Sequence, residues 1–139
     1  MREQTMLEVL NRHHERMRLC LTFHRELCSE NLPQTGRIAL SRLRITAAAA
    51  ERSRFLAREI LPILQGSSYP DVERLTDQLA GDLKILQAAA KAHIDQWNLE
   101  KIERNWPGYQ TTSRRVMTSI EQRLTLEIRI FKPILEHLD

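Results

Sequence analysis

Glycine is scarce in this chain, four among 139 residues, and aromatic side chains make up only 5%. Such a composition argues against a sandwich or barrel, which needs tight turns at short intervals and runs of β-branched and aromatic residues. No apolar run approaches the roughly 20 residues that cross a bilayer. The first segment, MREQTMLEVL, carries charge early and lacks the apolar stretch of a secretory leader. Both features lead to the expectation of a cytoplasmic protein with no membrane partner. Cysteine is limited to Cys20 and Cys28, which on one helix stand roughly 12 Å apart, too far to bridge. They are expected as reduced, mostly buried thiols. The sequence has no Cys-x-x-Cys-His for haem, no glycine-rich phosphate loop and no plausible Ser–His–Asp grouping. No catalytic residue is visible, and an enzyme is not expected.

What is present is helical. Hydrophobic residues make up 42% and charged ones 28%, enough for a real core in one domain spanning residues 1–139. Apolar side chains recur at three- and four-residue steps in four long segments. Helix A is predicted over 3–28, with Met6, Leu10, His13, Met17, Leu21, His24 and Cys28 on one stripe. Helix B runs over about 36–64, through Ile45, Ala49, Arg52, Leu56, Ile60 and Ile63. Helix C carries Val72, Leu75, Leu79, Asp82, Leu86, Ala89, His93 and Trp97 and extends toward Arg104; helix D is expected from near Thr112 until Pro133 ends its regular part. SENLPQTG, GSSYPD and NWPGY read as breaks, with Pro70 in the first turn of helix C. Four amphipathic helices with short connections predict an all-α, antiparallel up-down-up-down four-helix bundle.

Two segments repeat each other. RSRFLAREILPIL at 52–64 and RLTLEIRIFKPIL at 123–135 each place an arginine ten residues before a proline and close on Pro-Ile-Leu. Leu7, His14 and Met17 share their spacing with Leu75, Asp82 and Ile85, so the chain reads as a duplicated helical hairpin. Parallel placement of A with C, and of B with D, would bring His14, Arg52, Asp82 and Arg123 near one level.

With RHHERM at 12–17 and the endings EILPIL and IFKPIL, the chain resembles the hemerythrin-like (HHE cation-binding) family. The resemblance implies two such hairpins around a di-iron centre held by His, Glu and Asp. It also implies that most ligands are gone. His14 and Glu127 match ligand places, but Asp82 stands for a histidine, Arg52 and Arg123 stand for two more, and Leu56 and Leu86 replace others. A guanidinium has no lone pair to give a metal. Arg52, Asp82, Arg123 and Glu127 are therefore expected either as a buried ion network in the metal's place or as a solvated i,i+4 pair with Arg52 at the stripe's edge; the rarity of buried long charged side chains favours the second. No metal or other cofactor is expected.

The function this implies is a non-enzymatic binding, sensing or regulatory module, with a protein partner or self-association. An alternative keeps a reduced site at His14, Asp82 and Glu127 for one iron, zinc or manganese ion. His24 and His93 lie further along the parallel helices and could pair, with Cys20 or Cys28, around zinc, although two unrelated core-edge histidines fit the spacing better. His13 and His137 are expected to be exposed. A nucleic-acid-binding reading rests on Arg12, Arg16, Arg18 and Arg25 with Arg42, Arg44, Arg54 and Arg58. Interspersed glutamates make a solvated mixed-charge face the better account of these arginines.

Overall fold

The computed structural model describes residues 5–138. Every regular element among them is helical: α1 (Met6–Leu27), α2 (Thr35–Phe55), a π-helical turn (Leu56–Ile60), α3 (Leu61–Gln65), α4 (Val72–Gln96), α5 (Leu99–Arg104) and α6 (Trp106–Leu138). The expected start of helix A at residue 3 lies outside the described residues. Thr5 caps α1, its Oγ1 accepting from Glu8 N–H at 3.1 Å.

Local chemistry moves several boundaries from where periodicity put them. Asn98 interrupts the predicted helix C: its Oδ1 accepts from Lys101 N–H at 2.8 Å and starts α5 as a separate short helix. Asn105 does the same for α6, accepting from Gly108 N–H at 3.2 Å. NWPGY thus breaks the chain only at Asn105, and its other residues already open α6, with Pro107 in the first turn, where its missing N–H costs nothing. Gly108 lets the cap approach, since a Cβ there would lie 2.5 Å from Asn105 Nδ2. Pro70 falls outside α4, which begins after Asp71 adopts a left-handed φ of 61°.

The two prolines that close the repeated segments are treated differently. Pro133 lies within α6 and does not end it. Arg129 and Pro133 are both exposed, so the carbonyl that loses its helical donor is on the solvent side. Pro62 is preceded by the π-helical turn, in which Leu61 N–H donates to the Leu56 carbonyl. One extra residue in that turn relieves the clash that Pro62 would otherwise make with the carbonyl four residues back.

Side-chain pairs give the helix directions. His24 meets Ser41 and His13 meets Phe55, so α1 and α2 run antiparallel. His24 also meets Tyr109 and His14 meets Glu127, which makes α6 antiparallel to α1. Gln87 bonds Ser53, while Arg42 donates to the carbonyls of Ile94 and Trp97, so α4 is antiparallel to α2. The same holds for α4 and α6, through Leu79 with Arg123 and His93 with Ser113.

The apolar interior is divided in two. One cluster includes Met17, Leu21, Ala48, Ile120 and Leu124; the other includes Leu10, Leu56, Ile60, Leu79 and Phe131. Between them along the helices fall His14, Arg52 and Glu127, one on each of α1, α2 and α6. Burial of α4 is confined to Val72, Thr76 and Leu79 near its start. From Ala80 to Gln96 none of its residues is fully buried, and Ile85 is 71% exposed.

Candidate functional site

Glu127 is at the centre of the polar layer with no exposed surface. Its Oε2 accepts from His14 Nε2 at 2.8 Å and lies 3.6 Å from Arg52 Nη1; its Oε1 accepts from Arg123 Nε at 3.3 Å. Arg123 continues outward, donating through Nη2 to the Leu79 carbonyl at 2.8 Å and pairing through Nη1 with Asp82 Oδ2 at 3.4 Å. The structure thus brings together all five residues singled out in the sequence. The solvated alternative is corrected: Arg52 is 2% exposed and Arg123 7%. Only Asp82, at 44%, remains at the edge.

The electrostatics follow from this crowding. Burial alone would push the Glu127 carboxyl up, but the His14 hydrogen bond and the charges of Arg52, His14 and Arg123 together hold it below the usual carboxylate range. Arg52 is drawn below the usual guanidinium value by burial, against the pull of Glu127. It forms no hydrogen bond with any described residue, and its Nε and Nη1 are buried without an acceptor. The Nδ1 of His14 is also unpartnered.

These residues do not fit the di-iron centre that the resemblance implies. His14 Nε2 is committed to Glu127, and the Arg123 guanidinium bridges Asp82 to Glu127. His14, Asp82 and Glu127 therefore do not converge as a ligand set. Among the described residues no group of three or more His, Cys, Asp or Glu is placed to hold a metal ion.

A second polar cluster forms around Tyr109, which is fully buried. His24 presents Nδ1 to Ser41 Oγ at 2.8 Å and Nε2 to the Tyr109 hydroxyl at 3.0 Å. Burial, reinforced by Arg42 and His93, lowers the His24 pKa to about 4, so its imidazole is neutral. The Tyr109 hydroxyl is pushed up by burial and stays protonated. His93 stacks on the tyrosine ring at 5.6 Å and reaches Ser113 Oγ at 3.2 Å, while Trp106 stacks on the ring as well and Trp97 meets it edge-on. His24 and His93 do come together, but around a phenol, with both nitrogens of His24 taken. Cys28 is buried with its thiol pushed up by burial, and Cys20 is half-buried. Sequence reading missed Tyr109 by placing it in a turn. The signal was there: Trp97, Trp106 and Tyr109 gather much of a scarce aromatic content into 13 residues.

An elongated, mostly apolar cavity of ≈ 390 Å³ joins the two levels. Its walls include Leu21, Ile45, Ala49, Leu86, Val116 and Ile120. It opens where α4 stands away from the rest. Arg52 lines one end, and His24, Arg42, His93 and Tyr109 line the other.

Surface arginines are partly engaged within the fold. Arg16 pairs with Glu51, Arg25 with Glu121, and half-buried Arg42 holds the end of α4. His13 is half-buried against Phe55, not exposed as expected, whereas His137 is exposed. No helix among the described residues is long and apolar enough to cross a membrane. No protein-family model, curated protein or solved structure matches the chain.

Proposed function

We propose that the chain is a single-domain, antiparallel up-down-up-down four-helix bundle of hemerythrin-like design whose di-iron centre has given way to an ion network, and that it acts as a non-catalytic binding or sensing module. The bundle reading draws support from the antiparallel pairing of α1 with α2 and α6, and of α4 with the same two. One observation carries the functional reading: Glu127, in a ligand place and wholly buried, has its oxygens engaged by His14, Arg52 and Arg123. Taking two metal cations out of such a core would leave carboxylate charge uncompensated in a low dielectric. The guanidiniums of Arg52 and Arg123 supply the missing positive charge, and Arg123 adds a hydrogen bond to the carboxylate. Ser41 and Ser113 hydrogen-bond His24 and His93, but both hydroxyls are buried and His24 spends its other nitrogen on the Tyr109 phenol, which favours recognition over catalysis.

Elemental analysis of the purified protein, before and after anaerobic Fe(II) reconstitution, tests this. The expected result is no retained metal in either preparation. Near two irons per chain, with an oxo-bridge absorption band in air, would sink the proposal. One metal per chain, lost in His14→Ala, would replace it with a reduced metal site.

A further inference from the structure

The polar layer is unbalanced. Two guanidiniums, Arg52 and Arg123, share one fully buried carboxylate, Glu127. Asp82 helps Arg123, from which its Oδ2 is 3.4 Å away, but it is 44% exposed and serves Arg52 by no contact. A guanidinium that is 2% exposed and hydrogen-bonds no described residue is costly, because its Nε and Nη1 are buried without an acceptor. Cations buried in this way are ordinarily paired. Arg52 has only the 3.6 Å approach of its Nη1 to a carboxylate oxygen that His14 already occupies.

Arg52 is also a wall residue of the ≈ 390 Å³ cavity. That volume falls within the range of small-ligand sites, about 300–1,000 Å³. Along α2 the lining runs from Arg42 to Ser53, and along α6 from Tyr109 to Ile120, each spanning roughly 16 Å at 1.5 Å per residue. Leu86, Ala90 and Ile94 of α4 close the third side. A long, mostly apolar space has at one end Arg52, which keeps only a 3.6 Å contact with Glu127, and at the other Arg42, already spent on the Ile94 and Trp97 carbonyls. It suits an anionic head on a linear hydrocarbon tail.

We propose that this cavity binds a linear aliphatic monocarboxylate, a free fatty acid of medium chain length, with its carboxylate on Arg52 and its tail running toward Tyr109. A planar carboxylate suits the guanidinium, since it can accept two parallel N–H bonds. The tail displaces water from Ile45, Ala49, Val116 and Ile120, and α4 closes over it. This rests on the reading of the chain as a binding module and names the ligand of that module.

The test is calorimetric titration of the full-length, metal-free protein with decanoate below its micelle concentration, alongside decanol. Saturable one-to-one binding of decanoate is expected, with decanol at least about tenfold weaker for lack of the charge-assisted bonds. Arg52→Met should weaken decanoate by a similar factor and leave decanol unchanged. Ala90→Phe, which fills the cavity and keeps Arg52, should abolish both. Circular dichroism of each variant confirms that a lost signal is not a lost fold. Equal binding of the acid and the alcohol, or an Arg52→Met affinity for decanoate equal to wild type, would overturn the carboxylate assignment while the binding-module reading stands. No binding of decanoate by the folded wild-type protein would overturn it too, leaving Arg52 to Glu127 and water. Iron uptake at His14 and Glu127 is a separate readout and bears on the module reading.

Discussion

The two buried polar levels of this molecule solve the same problem in opposite ways. At the level of Glu127, charge is retained and answered with charge. At the level of Tyr109, charge is removed: His24 is neutral, the phenol is protonated, and hydroxyl partners satisfy the imidazole. Desolvating an ion is expensive enough that one carboxylate must gather three partners, whereas neutral donors and acceptors are content in pairs. The charged level is thus intolerant of losing its anion. The neutral level is intolerant of gaining a proton.

Glu127→Gln should therefore be the most damaging single change. It leaves Arg52 buried without an anion and Arg123 with only the partly exposed Asp82, and denaturant unfolding should show a loss of about 3–5 kcal/mol. Arg52→Met provides the contrast within the same level. It removes a guanidinium with no hydrogen bond and leaves Glu127 held by His14 and Arg123, so its stability should stay within about 1 kcal/mol of wild type or rise. A loss from Arg52→Met as large as that from Glu127→Gln would show that all three ions act as one unit.

The neutral level is probed by pH. The folded pKa of His24, about 4, lies below the ordinary imidazole value of 6.5. Its contribution to stability is complete above pH 6.5 and is lost as pH falls from there through about 4, because the unfolded chain takes up the proton first. The loss should amount to about 3 kcal/mol across that window, and His24→Asn should remove most of the slope. Glu127, also depressed, adds a loss of the same sign further toward acid. A stability profile that is flat between pH 6.5 and 4 would contradict the neutral assignment. Tyr109→Phe is the mildest change at this level. It deletes one hydroxyl bond to His24 while keeping the stacked ring, and should cost about 1 kcal/mol in thermal or chemical unfolding.

The charged level was legible in the sequence and the neutral one was not, for a physical reason. Charges inside apolar stripes are conspicuous, and two arginines at matched distances from two prolines gave Arg52 and Arg123 a position before any coordinates. Glu127 followed from its step of four after Arg123. The depth of the site did not follow, because exposure depends on which neighbours close over a side chain, and the usual surface fate of arginine misled. Tyr109 was hidden by Pro107 and Gly108, which read as a turn but sit in the first turn of α6 under the Asn105 cap. Arg42, assigned to a basic surface, bends inward to two carbonyls, a destination that no local pattern encodes. All-helical content was plain from periodicity, since long amphipathic stripes outvote single turn residues. The standing-off of α4 was not, although the alanines at 88–90 gave it little to bury.

The π-helical turn before Pro62 carries a consequence for symmetry. Arg52 to Pro62 and Arg123 to Pro133 are equal in residue count, yet the first path passes through a wider turn and the second remains α-helical throughout. Equal counts therefore sweep unequal angles, and a twofold rotation that laid Arg52 over Arg123 would leave the two Pro-Ile-Leu endings out of phase. Whatever repetition the chain began with, its two ends now have different shapes, and a ligand or partner that meets one of them will not find its twin at the other.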